Sequence, residues 1–372
     1  MLTEHQTHFS RRSWTEIRLS ALRENLRIYK EHCHAEEIMA VVKADAYGHG
    51  AAECAHVLAE AGVRLFAVSN IIEAIELRQA GVKGEILILG YTPAEQLPLL
   101  TEYDIMQAVV SEADAARIAE KAPEARVQYA IDTGMNRIGL DADDPAACEA
   151  VMRKYPLHLC GMFTHLCVAD TDTAECRAFT RGQIAKFEAV ADRVADMQLP
   201  YVHCLNSAGG LWQETKYNRI ARLGIVMYGL KPDYANTLPE GIRPVLEWKS
   251  VISMVKPLHK GETVGYGRTF TAEHEMLLAT VPTGYADGYD RLLSNRGYVL
   301  IDGHRAPVVG RVCMDQLTVD VTGLDVKAGD EVVLLGQSGG ETYTADDMAQ
   351  QIGTIGYEII CGITHRVQRK YL

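Results

Sequence analysis

Up to about residue 235, short apolar runs alternate with segments of helical periodicity, the order that a parallel sheet with crossover helices produces. Eight runs stand out: "IMAVV" (38–42), "RLFAV" (64–68), "EILIL" (85–89), "DIMQAVV" (104–110), "RVQYAI" (126–131), "LCGMFT" (159–164), "YVHCL" (201–205) and "RIARLG" (219–224). Helix signals lie between them. Asn70 with Glu73 and Ser111 with Asp114 have the spacing of capping boxes, and Gly62 and Gly81 fall where helices should stop. Eight such units in about 200 residues predict a (β/α)8 barrel of the TIM type.

From about Gly241 the texture changes. "LEWKSVISMVKPL", "EMLLATVPTGYADGY", "GYVLIDGHRAPVVGRVCMDQLTVDVTG" and "DEVVLLGQ" read as strands parted by Gly, Asp and Asn turns. One helix, "TADDMAQQIG", interrupts them, with Thr344 as N-cap and Gly353 as stop. The expected organisation is α/β: a barrel over residues 1–240 and a mostly-β domain over 241–372. There is no internal repeat, low-complexity tract or long linker.

Composition narrows the partners. With 48% hydrophobic and 23% charged residues the chain is neither disordered nor membrane-like, and no apolar run approaches the roughly 18 residues of a bilayer span. The opening "MLTEHQTHFSRRSWTEIRLS" has no apolar core of a secretory signal, so a cytoplasmic protein is expected. A net charge of -12 argues against nucleic acid and anionic membranes and for a small substrate. Nine cysteines without a CxxC pair fit reduced thiols; no metal site is expected, and Cys313 reads as a packing residue.

In a barrel, reactive residues sit at the C-terminal strand ends, where the βα loops converge. The first run ends at Lys43, the fifth leads into Asp132 and Arg137, and the sixth ends at His165. The seventh ends at Asn206 and Ser207, and the eighth brings Arg222 and Gly224. Loops after the last two strands are the usual phosphate site, built from backbone N–H groups and small hydroxyl residues. A lysine facing a phosphate site is what a pyridoxal phosphate Schiff base needs. Alone, Lys43 would read as an ordinary surface lysine; its companions change that.

The motifs "AVVKADAYGHG", "IDTGMNRIG", "GMFTHL", "NSA", "RLGIVMYGL", "VGYGRTF", "GYADGY", "GRVCMDQ" and "GTIGYEIICGITHRV" together resemble the alanine racemase family, in the family's order, from residue 14 to the C-terminus. The resemblance implies pyridoxal 5'-phosphate on Lys43, with Lys43 and Tyr266 as the two bases on opposite faces of a planar carbanion. A tyrosine with pKa near 10 needs help to act as a base, and the resemblance gives it His165 and Arg222. Arg222 would face the pyridine nitrogen, where a lasting positive charge keeps that nitrogen unprotonated and favours reprotonation over side reactions. Tyr47, Ser207, Gly224, Ile225 and Tyr357 match phosphate-binding positions, with Asn206 structural. Arg137 and the backbone at Met314 match the substrate carboxylate site. Tyr285 matches the entry channel, and Asp315 positions the loop of Met314. Tyr266, Met314 and Asp315 would serve the other subunit of a head-to-tail homodimer.

One departure stands out. Many family members have "KVDTGMGR", whose carbamylated lysine braces the arginine; here Ala130 replaces it in "AIDTGMNR". A bound anion such as chloride, contacted by Arg137 and Asn136, is expected instead. The racemase domains of vancomycin-resistance serine racemases share this departure, which keeps serine as an alternative substrate, whereas Tyr357 should hold the pocket close around a methyl group. Outside enzymes, the rival is a pyridoxal phosphate-binding regulatory protein, which would be a barrel alone. Related decarboxylases place an acid where Arg222 stands, and a class I aldolase would need no phosphate anchor.

Overall fold

The computed structural model describes residues 10–372, which form two compact units. One holds Leu22–Met227 with Ala235–Ile242; the other holds the chain up to Ala21, Tyr228–Tyr234 and Arg243–Leu372. Strand β1 (Ser13–Ile17) belongs to the second. The first unit continues with β2 (Glu37–Val41), β3 (Leu65–Val68), β4 (Glu85–Ile88), β5 (Met106–Val109) and β6 (Arg126–Asp132). A short β7 (Leu140–Asp141) follows, then β8 (His158–Phe163), β9 (Tyr201–His203) and β10 (Ile220–Leu223).

All eight expected runs are strands. They pair in parallel in the order β10-β2-β3-β4-β5-β6-β8-β9, and a parallel bridge between Leu205 and Ala221 brings the two ends together into a barrel. β7 pairs beside β6 off this path. Strands covered on both faces need near-continuous apolar sequence, and β3, β5 and β10 are buried at every position. The exceptions are Gln107, Gln128, His203 and Arg222, polar side chains buried within strands.

The helix ends follow the expected chemistry with one difference. Asn70 accepts from the amides of Ile72 and Glu73, and Ser111 from that of Asp114. The two boxes do not close: Glu73 and Asp114 take the amides of Ser69 and Val110, one residue before the cap. Thr344 with Asp347 does close a box, and Gly353 ends that helix at φ 77.

In the second unit, β1 lies between the strands Leu246–Val251 and Gln368–Tyr371, antiparallel to the first and parallel to the second. A separate sheet joins Met254–Leu258, Met276–Val281 and Leu317–Asp320. Trp14 and Trp248 are buried, and the Trp248 indole donates to Ser13 Oγ at 2.9 Å. The partners of β1 lie more than 200 residues away, so a five-residue strand at the start of the chain carries no local sign of them. Trp14→Ala should therefore cost roughly 3–5 kcal/mol, read as a shift of the urea unfolding midpoint.

Candidate active site

The first unit gathers its candidates at the C-terminal ends of its strands. Lys43 follows β2 and opens a turn whose next four residues, Ala44 to Tyr47, all have φ between 52 and 55. The loop after β9 carries Ser207, held from both sides. Tyr29 donates to the Ser207 carbonyl at 2.9 Å, and the Gly224 amide donates to Ser207 Oγ at 2.9 Å. A Cβ on Gly224 would lie 2.7 Å from the Tyr47 hydroxyl, so only glycine lets that hydroxyl approach the backbone here. Tyr47, Ser207 and Gly224 thus converge, and Ile225 begins a short 3-10 turn whose first amides have no intrahelical acceptor. Asn206 caps the next helix through Gly209 and donates to Leu166, a structural role.

Arg222 on β10 is the electrostatic centre. Its NH1 donates to His203 Nδ1 at 2.6 Å and to the His203 carbonyl. Its NH2 donates to the carbonyls of Thr164 and Cys204 and to His165 Nδ1 at 3.3 Å. Among the described residues no carboxylate pairs with it and none accepts from its Nε–H. Burial pulls its pKa down to about 10, so it stays a cation at neutral pH. His165 is pushed down to about 3 by burial first, then by Arg222, Arg137 and Lys43. It is neutral, accepts at Nδ1 and keeps its proton on Nε2. His203, also held well below its usual value by burial and Arg222, keeps the same tautomer because Nε2 donates to Gln128 Oε1 at 2.9 Å.

Arg137 is exposed and has no ion-pair partner among the described residues. Asp132 ends β6 just before this loop, and its Oδ1 accepts from the amides of Gly134 and Asn136, which fixes the loop. Asn136 sits at φ 56, and Ala130 is buried in β6.

The second unit carries the remaining candidates. Tyr266 is 71% exposed, Met314 52% and Tyr285 41%. The Tyr285 amide donates to the Cys313 carbonyl and the Ala286 amide to the Met314 carbonyl, both at 3.0 Å, so these two loops are stitched together. Gly284 is forced: a Cβ there would meet the Cys313 carbonyl at 2.3 Å. Asp287, fully buried, accepts from Arg12 and from the Gly284 amide. Arg366 approaches the same carboxylate and donates to Asp315 at 2.7 Å. Tyr357 lies on the helix Gly356–Cys361.

Comparison with known proteins decides the family. Residues 17–232 match the family described as "Alanine racemase, N-terminal domain", and 245–371 match "Alanine racemase, C-terminal domain". The chain belongs to the alanine racemase family. It is 39% identical to "Alanine racemase 1" of Clostridium acetobutylicum over 96% of this chain and 95% of that protein, and 40% identical to the alanine racemase of Desulfovibrio desulfuricans over 98% and 99%. Its structure resembles alanine racemase from Bacillus anthracis with bound L-Ala-P, at TM-score 0.91 and 31% identity, covering 98% of this chain and 96% of that one.

Within this family setting, reading the sequence missed Tyr29, Gln128, His203 and Asp287. Asp287 stood inside the quoted "GYADGY", and Gln128 and His203 stood inside the runs "RVQYAI" and "YVHCL", where a polar residue in an apolar strand was the available signal; Tyr29 had no local signal.

Because the folded pKa of His165 lies below the ordinary 6.5, its contribution to stability is fully present above pH 6.5 and is lost as pH falls toward 3. His165→Asn should lose about 2 kcal/mol less than the native chain between pH 7 and pH 5, as read by urea unfolding at both.

Proposed function

We propose that this chain interconverts L-alanine and D-alanine with pyridoxal 5'-phosphate. The observation that carries the proposal is the convergence, in a member of this family, of Lys43 with a buried Arg222 that has no carboxylate partner among the described residues. The residues present fit the cofactor. Tyr47, Ser207, Gly224 and Ile225 offer hydroxyls and amides to a phosphate, the family resemblance adds Tyr357, and Arg222 Nε–H is left to meet a ring nitrogen. When bound, the cofactor supplies the electron sink that makes the Cα proton acidic.

Lys43 holds the cofactor and moves the Cα proton at one face of the substrate. Tyr266 of the partner subunit moves it at the other face, in a head-to-tail homodimer with two shared sites to which the β-rich segment 241–372 contributes this second base. Arg222 stays charged, and neutral His165, accepting from it at Nδ1, has Nε2–H free to stabilise a tyrosinate. Arg137 pairs with the substrate carboxylate, and the backbone at Met314 of the partner subunit shares it; in each chain Asp315 holds that loop through Arg366. Tyr285 lines the way in.

Ala130 cannot carry a carbamate, and Oδ1 of Asp132 in the same strand is taken by loop amides. A chloride ion between Arg137 and Asn136 supplies the missing negative charge. The same substitution favours a second reading, a serine racemase of the vancomycin-resistance type, against which Tyr357 keeps the pocket small.

Tyr266→Phe should lower kcat by ~10²–10⁴ while leaving the visible band of the bound cofactor intact. In the native enzyme kcat/KM for L-alanine should exceed that for L-serine, and a serine preference would overturn the substrate assignment.

A further inference from the structure

Ala44, Asp45, Ala46 and Tyr47, at φ 52, 53, 53 and 55, make a full left-handed turn without a glycine. L residues enter this region singly and at a cost, because Cβ crowds the following carbonyl. A run of four persists only if its surroundings over-determine it. Much of the restraint is local. The Ala46 amide donates to the Val42 carbonyl at 2.9 Å, and the Gly50 amide to the Asp45 carbonyl at 2.9 Å. His49 Nδ1 lies 3.0 Å from the carbonyls of both Ala46 and Tyr47, and the Asp45 side chain takes the Ala51 amide at 2.8 Å.

One restraint comes from the next βα unit. Capping-box spacing sends the Glu73 carboxylate back to the amide of Asn70. Instead, Oε1 accepts from the Ala44 amide at 2.9 Å and Oε2 from the Ser69 amide at 2.7 Å. A single carboxylate therefore ties the residue after Lys43 to the first residue beyond β3. The helix keeps its own cap, since Asn70 still accepts from Ile72 and Glu73.

We propose that Glu73 is a positioning residue for Lys43: by holding the Ala44 amide it maintains the left-handed turn, and with it the spacing between the Lys43 amine and the Tyr47 hydroxyl. Those groups leave opposite ends of the turn, so relaxing the turn changes the distance from amine to phosphate. This rests on the reading of Lys43 as the cofactor-binding base.

The test compares Glu73→Ala, Glu73→Gln, Asn70→Ala and Lys43→Ala by amide hydrogen exchange in the cofactor-free protein and by kcat and KM for L-alanine in the loaded enzyme. Glu73→Ala should speed exchange across residues 44–50 and lower kcat about tenfold with KM nearly unchanged, the signature of a displaced reacting group. Glu73→Gln keeps one acceptor oxygen and should recover most of kcat. Asn70→Ala frays the same helix without touching Ala44 and should leave kcat near its native value. Native exchange and native kcat in Glu73→Ala would overturn the inference, as would an equal loss in Asn70→Ala. Racemisation surviving in Lys43→Ala would instead overturn the reading beneath it.

Discussion

A guanidinium buried with no carboxylate partner among the described residues is the constraint on which the barrel site depends. An isolated buried charge is costly unless dipoles replace its water. Arg222 meets that requirement with carbonyls from the ends of β8 and β9 and with two imidazoles that must remain neutral to accept from it. Its charge in turn holds both histidines unprotonated. Gln128 closes the shell by fixing the tautomer of His203, and beside it Gly161 lets β8 and β9 approach, since a Cβ there would meet the Tyr201 carbonyl at 2.2 Å and the Gln128 side chain at 3.0 Å. Gln128, His203, His165 and Arg222 thus form one network around a buried cation, whereas Gln107 bonds separately to Thr92 and Gly90.

The two units solve different problems. The barrel supplies a strained, clamped turn for Lys43 and a nest of hydroxyls and amides around Ser207. The β-rich unit presents Tyr266, Tyr285 and Met314 on exposed loops, yet anchors two of them through the buried Asp287 with Arg12 and Arg366. Exposed side chains on a rigid backbone suit the role proposed for them at a second subunit, and buried charge pairs hold the loops that carry them.

The barrel was legible because period and strand ends are local properties: every one of the eight apolar runs became a strand, including "RIARLG", in which Arg222 is a buried exception to the apolar pattern. The mouth residues were legible through motif resemblance added to strand-end logic. What the sequence hid was contact between distant segments. β1 pairs with strands more than 200 residues away, Tyr29 reaches Ser207 from the first helix, and Glu73 forsakes its expected partner for Ala44. Capping spacing identifies a free carboxylate near a helix start, but the amide it finally accepts from depends on which loop the barrel brings alongside.

The central claim is that separate groups handle the Cα proton on the two faces. Its most direct measurement is isotopic: the cofactor-loaded enzyme is incubated with L-alanine in D2O, the reaction is stopped at low conversion, and deuterium at Cα is measured in the D-alanine formed and in the remaining L-alanine. The account predicts a solvent-derived deuteron in nearly all the D-alanine, with the remaining L-alanine largely protiated. D-alanine that keeps its original proton would mean a single group serving both faces, and would contradict it.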